Sequence, residues 1–178
     1  KQKIKKKKLN IYKNYHQKIQ DRINQKDDII KKFGSENFKK LTHYLIKYEK
    51  YDLGNIGVIH GDPVLSNIIK KTNDDLVFLD PRGSLGNEFT IYGDTNYDFS
   101  KVYQSLNGYE NIILDKKIDY DYLKDLKNHF ESLLMTNKKI DNINTIKFLT
   151  SSLYFTLIKF HNKKYTNKFL DISRNLIK

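Results

Sequence analysis

The chain has no cysteine and no tryptophan, one methionine and two prolines among its 178 residues. Without cysteine neither a disulfide nor a thiolate-held metal is available, and a cytoplasmic compartment is the simplest expectation. No apolar run approaches the roughly 18 residues of a membrane-spanning helix, and the first ten residues lack the apolar segment of a secretory leader. The expectation is a soluble protein that meets no membrane. Nothing rich in glycine or proline divides the chain, so residues 1–178 are expected to form one domain with its own core. The only methionine is Met135 and the first residue is Lys1, so the sequence reads as part of a longer protein.

What is abundant is lysine, and the formal net charge is +12. A basic chain gains affinity for polyanions by releasing counterions, which opens a nucleic-acid reading. The lysines are nevertheless spread along the chain except at Lys5-Lys6-Lys7-Lys8, which reads as a flexible solvated terminus within residues 1–8. Arginine, the preferred reader of bases and phosphates, occurs only as Arg22, Arg82 and Arg174. Tyrosines interleaved with lysines fall on helix stripes, so they read as packing residues rather than a base-stacking platform. Nucleic acid is therefore not the expected partner.

From Leu9 to about Phe33, the residues Tyr12, Tyr15, Ile19, Ile23 and Ile30 recur at helical spacing. Gly34 stops that helix, Ser35 is placed to cap the next, and Phe38, Leu41, Tyr44, Leu45 and Tyr48 form a second buried stripe. Short strands are expected at 56–59, 67–71 and 76–79, the last two joined as a hairpin across the turn-rich Thr72-Asn73-Asp74-Asp75. Helical spacing returns at about 95–107, 118–135, 140–162 and 164–177. Helices on either side of a small β insert make a mainly α (α+β) fold.

The insert reads Val58-Ile59-His60-Gly61-Asp62-Pro63-Val64-Leu65-Ser66-Asn67, then Leu76-Val77-Phe78-Leu79-Asp80-Pro81-Arg82-Gly83. A two-residue turn at Asn73-Asp74 pairs Asn67 with Asp80, with Cβ atoms about 4.5–5.5 Å apart. One amide oxygen and one carboxylate suit a hard cation such as Mg2+ completed by water and phosphate, and do not suit zinc. Asp62 is then free to act as a base beside the metal. Asn-Asp is a weaker turn signal than Asn-Gly, so the register is open to a slip of one. Taken singly, Asp62, Asn67 and Asp80 also read as ordinary turn and capping residues.

His60-Gly61-Asp62, then Asn67, then an apolar strand ending in Asp80, resembles the H-G-D-x-x-x-x-N…D pattern of aminoglycoside phosphotransferases, choline kinases and their protein-kinase-like relatives. The resemblance covers about residues 35–178 and is most specific from Val58 to Lys101. It implies the carboxy-terminal lobe of a protein-kinase-like fold, in which Asp62 takes or orients the proton of a substrate hydroxyl attacking the γ-phosphorus of ATP. It further implies that Asn67 and Asp80 hold the Mg2+ bridging the nucleotide phosphates. His60 is implied to steady the loop by hydrogen bonding. Arg82 is left between contact with a phosphate or anionic substrate and an ion pair with a nearby carboxylate.

A second stretch, Gly93-Asp94-Thr95-Asn96-Tyr97-Asp98, resembles the family's G-D-x-x-Y-D segment. Thr95 and Asp98 have capping-box spacing, and the resemblance adds that Asp98 reaches back to the catalytic-loop backbone. His161 reads as a surface or core histidine before a pocket residue. The residues before His60 lack the β-rich lobe, phosphate-covering loop and lysine of a complete kinase of this type. The missing amino-terminal lobe is therefore an expected partner, and the fragment alone is expected to bind ATP weakly and turn over little. The expected reaction is ATP-dependent phosphorylation of a small-molecule hydroxyl, on a sugar, amino alcohol or aminoglycoside. A non-catalytic kinase-like scaffold or partner-binding module is the alternative.

Overall fold

The computed structural model describes residues 9–23, 27–136 and 142–178. The Lys5–Lys8 run lies outside them, as do 24–26 within the first expected helix and the start of the helix expected at 140.

The stretch expected as one helix from Leu9 opens instead as a turn. Asn10 Oδ1 accepts from Tyr12 N at 2.9 Å, and Tyr12 O accepts from Tyr15 N at 3.1 Å. Short polar side chains compete with helix for the backbone in this way. The turn also sends the Tyr12 and Tyr15 hydroxyls to Asp52 (2.8 Å) and Asp94 (2.6 Å), contacts that an uninterrupted helix does not win. Helix then runs as α1 (His16–Ile23) and α2 (Asp27–Phe33). Gly34, at φ 93°, ends α2 and is itself the N-cap of α3 (Ser35–Lys50). Ser35, expected as the cap, is the first helical residue and bonds no orphan N–H.

Six short strands follow: β1 (Ile56–Val58), β2 (Ile68–Lys70), β3 (Leu76–Phe78), β4 (Ser84–Leu85), β5 (Glu88–Phe89) and β6 (Tyr92–Asp94). They form three antiparallel pairs, β1 with β6, β2 with β3 and β4 with β5. The β2–β3 hairpin is the expected one; β4, β5 and β6 were not anticipated, being too short to show a period of two. The remaining helices are α4 (Thr95–Ser105), α5 (Tyr109–Ile113), α6 (Tyr120–Thr136), α7 (Ile143–Leu157) and α8 (Thr166–Leu176). Of these, only the single turn of α5, entered through Gly108 at φ 85°, was not foreseen. With 59% helix and 10% strand, the chain is mainly α with small antiparallel sheets.

α7 is the centre. Every residue from Leu149 to Thr156 is buried, as expected of a helix covered on all sides. α4 and α8 pack closely on it, with α1 and α3 alongside. The largest cluster joins Tyr15 and Ile19 of the amino-terminal region to Leu41, Leu45 and Tyr48 of α3, Tyr97 of α4 and Leu149, Leu153 and Phe155 of α7. This helical block is the platform from which α4 holds the β insert. Among the described residues no helix is long and apolar enough to cross a membrane.

Candidate functional site

The loop after β1 turns sharply at Gly61, which is buried at φ 83°. A Cβ there would meet Arg82 Cβ at 2.8 Å, so only glycine admits both the left-handed turn and the passing chain. Asp98, in the first turn of α4, accepts from the His60 N–H at 2.7 Å and the Gly61 N–H at 2.9 Å. Burial pushes the Asp98 carboxyl up from the usual carboxylate range, and these two N–H groups pull against it. His60 Nδ1 accepts from Asp62 N at 3.2 Å, and His60 O accepts from Arg82 N at 2.8 Å. Asn67, ending the 3-10 turn Leu65–Asn67, donates Nδ2 to Asp62 O at 2.9 Å. The segment from His60 to Asn67 is therefore braced by α4 at one end and by its own amide at the other.

The hairpin register differs from the expected one by a single residue. Ile68 pairs with Phe78 and Lys70 with Leu76, so Asn67 lies opposite Leu79, whose N–H donates to Asn67 O at 2.8 Å. The loop has three residues instead of two: Asp74 N donates to Lys71 O (3.1 Å), Lys71 N donates to Asp75 O (2.8 Å), and Asp74 takes φ 65°. A type I turn followed by a left-handed residue is the next commonest hairpin closure after the two-residue turns, and Asp tolerates that conformation. Asp80 consequently follows the strand instead of pairing across it. It is exposed and itself left-handed at φ 54°, a conformation that Asp tolerates.

Asn67 and Asp80 are therefore one position out of step at the open end of the hairpin, and not directly opposed as expected. Asn67 spends its amino end on Asp62 O, so its carbonyl oxygen is the end left for a cation, and that pair of oxygens suits Mg2+ in kind. Among the described residues no group of three or more His, Cys, Asp or Glu side chains is gathered for a metal.

Asp94 caps α4 in place of Thr95, accepting from Asn96 N at 3.1 Å. It is 1% exposed, and its two oxygens also accept from Tyr15 Oη (2.6 Å), Tyr48 Oη (2.7 Å) and Asn55 N (3.0 Å). One side chain thereby ties the amino-terminal turn, α3, the entry to β1 and α4 together.

Asp62 lies at the wall of a cavity of about 180 Å3, shared with Lys18, Arg22, Arg82, Tyr97, Lys101 and Gln104. Lys101 Nζ is 2.8 Å from Asp62 Oδ1, an ion pair by distance though not a well-directed hydrogen bond. Lys101 also donates to Gln104 Oε1 at 3.1 Å. Arg82 Nη1 and Lys18 Nζ both reach Tyr97 Oη, at 3.0 and 3.4 Å, and among the described residues Arg82 forms no ion pair with a carboxylate. His161 packs against Tyr109 and Phe169 and is not part of the cavity wall.

Burial alone pushes the Tyr97 phenol up, but Lys18, Lys101 and Arg82 outweigh it and bring it down to about 7. The linkage follows. A depressed acid contributes stability that is fully present above the ordinary tyrosine value near 10 and is lost as pH falls through its folded value. Denaturant midpoints of wild type and Tyr97→Phe should therefore diverge in favour of wild type as pH rises from about 7 towards 10. Parallel curves would show that Tyr97 keeps its proton.

Sequence reasoning missed Lys18, Arg22 and Gln104, which come from α1 and α4 with no local motif, and quoted Tyr97 within the G-D-x-x-Y-D segment without assigning it a role at the site. One signal was available: two of the chain's three arginines converge on this cavity. Comparison with protein-family models, with curated proteins and with solved structures finds no match to this chain.

Proposed function

We propose that the chain carries the catalytic loop of an ATP-dependent phosphotransferase acting on a small-molecule hydroxyl. The observation that carries this reading is the bracing of the loop from His60 to Asn67, which presents Asp62 at the wall of a cavity while Asn67 and Asp80 flank the adjoining hairpin. Phosphoryl transfer asks mostly for such positioning, together with charge neutralisation.

In this reading Asn67 and Asp80 would hold Mg2+, which supplies neutralisation of the nucleotide phosphates. Lys101 fixes Asp62 Oδ1, so Oδ2 is the oxygen that meets the acceptor hydroxyl. The acceptor oxygen forms a bond to the γ-phosphorus, the bond from that phosphorus to the β–γ bridging oxygen breaks, and ADP leaves with the electron pair. The hydroxyl proton passes to Asp62. His60 and Asp98 take no proton in the reaction; they hold the loop.

The apolar side chains around the loop fit a second lobe packed over it. Ile56 and Val58 on one face of β1 are 65% and 64% exposed, and Leu76 and Phe78 of the hairpin 56% and 50%. An isolated two-stranded hairpin is marginal in water without such cover.

The test is ADP formation by the intact protein with Mg2+, ATP and a panel of hydroxylated small molecules. Acceptor-stimulated, Mg2+-dependent ADP formation is expected, with loss in Asp80→Asn. Turnover that survives Asp80→Asn unchanged, or no stimulation by any member of the panel, contradicts the reading.

A further inference from the structure

The cavity beside Asp62 has an unusual charge balance. Its walls contribute four cations, Lys18, Arg22, Arg82 and Lys101, against one carboxylate, Asp62. Lys101 is paired with that carboxylate. Lys18, Arg22 and Arg82 form no ion pair with any carboxylate of the described residues. Arg22 donates to the Thr156 carbonyl at 3.2 Å and lies 4.1 Å from the centre of the Phe160 ring, while Arg82 and Lys18 share the Tyr97 hydroxyl. These partners are neutral groups or a phenol.

Lys18 and Arg22 are half-buried and Arg82 is exposed; positive charge drawn even partly away from water without a carboxylate partner is costly, and proteins normally pair it. Burial pulls both Lys18 and Arg22 below their ordinary values, as expected where charge is crowded away from water. Gln104 adds an independent sign. It is fully buried and lines the cavity, its Oε1 is taken by Lys101, and its Nε2 has no acceptor. An anion placed among these groups would find two guanidinium groups, an ammonium and an idle amide donor, the set that recognises phosphate or carboxylate.

We propose that this cavity binds the anionic group of the acceptor, so that the substrate is a small alcohol bearing a phosphate or a carboxylate. The inference rests on the phosphotransferase reading and narrows it. Choline-like amino alcohols and aminoglycosides are cations, and the three basic side chains without a carboxylate partner repel them. Size points the same way. The cavity lies well below the roughly 300–1,000 Å3 of pockets that enclose drug-sized ligands, which suits a compact acceptor. Tyr97 acts as a placeholder: its Oη accepts from Lys18 and Arg82 while the cavity is empty, and an arriving anion takes over those contacts. Tyr97 is thus a positioning residue and touches no reacting atom.

The experiment compares glycerol phosphate, glycerate, glycerol, choline and an aminoglycoside on the intact protein. Binding is followed by calorimetry and by phenolate absorbance near neutral pH, with Tyr97→Phe as the blank; ADP formation is followed separately. Glycerol phosphate or glycerate should bind and reduce the phenolate signal, and glycerol and choline should not. The stronger of the two anions says whether phosphate or carboxylate is the group preferred. Arg22→Gln and Lys18→Gln should each weaken anion binding roughly tenfold to a hundredfold, the worth of one charge-assisted hydrogen bond. They should raise the acceptor KM far more than they lower kcat.

Choline or the aminoglycoside binding better than either anion overturns the proposal, as does absence of anion binding at millimolar concentration or unaltered anion affinity in both variants. The wild-type comparison needs no variant to fold. The two ideas fail separately. ADP formation stimulated only by neutral or cationic alcohols leaves the kinase and removes the anion site; Arg22-dependent anion binding with no acceptor-stimulated ADP formation leaves the site and removes the kinase.

Discussion

Asp62→Asn in the intact protein is expected to lower acceptor phosphorylation by about two to four orders of magnitude, the usual worth of a positioned general base. Nucleotide affinity should change little, because Asp62 contributes neither the amide nor the carboxylate assigned to the metal. The fold should survive. The side chain is 36% exposed, and its ion-pair partner is Lys101, to which an asparagine oxygen can still offer a lone pair. The loop does not depend on the carboxylate either, since Asp98 and Asn67 brace it through backbone atoms. Single-turnover measurements separate the chemical step from binding. Turnover equal to wild type would remove Asp62 from the role of base and, with it, the functional meaning of the braced loop.

The largest effect on stability is expected at a residue with no part in the chemistry. Asp94→Ala removes the acceptor for two tyrosine hydroxyls and two backbone N–H groups at a position that is 1% exposed. Orphaned buried donors and a lost helix cap together amount to about 3–5 kcal/mol. For a chain of this size that lowers the melting temperature by roughly 6–20 °C. A loss of under about 1 kcal/mol by denaturant titration would mean that the four donors find other partners.

The pH dependence at this residue has the opposite sense from Tyr97. Burial pushes the Asp94 carboxyl up, against the pull of its four donors. An acid raised on folding contributes stability that is full below the ordinary carboxylate value and is lost as pH rises through the folded value. The margin of wild type over Asp94→Asn should therefore narrow as pH climbs out of the acid range, and this knot does not explain any acid unfolding.

Much of the helical frame was legible because its signal is local. Stripes such as Leu41, Leu45 and Tyr48 repeat along one helix, and each residue's burial follows from its neighbours three and four positions away. The β2–β3 hairpin was legible for the same reason, but its register was not. Asn73-Asp74 can close a two-residue turn or lie within a three-residue loop, and only the pairing of the strands selects the second. The turn at Asn10 to Tyr15 was misread as helix because the bonds that hold it run to Asp52 and Asp94, far along the chain. Thr95 was read as a cap from its spacing, whereas Asp94 holds that place through partners on three other segments.

By itself the amino-acid sequence determined the secondary-structure class, the core stripes of the helices and the grouping of His60, Asp62, Asn67, Asp80 and Asp98 into one stretch, since each depends on residues close together in the chain. Only the tertiary structure decided that Asp98 grips the backbone at His60 and Gly61, that Asn67 faces Leu79, and that Lys18, Arg22, Arg82 and Lys101 surround one cavity with Tyr97. The physical reason is that charge and hydrogen-bond complementarity act through space over a few ångströms, between groups whose separation along the chain carries no periodic trace.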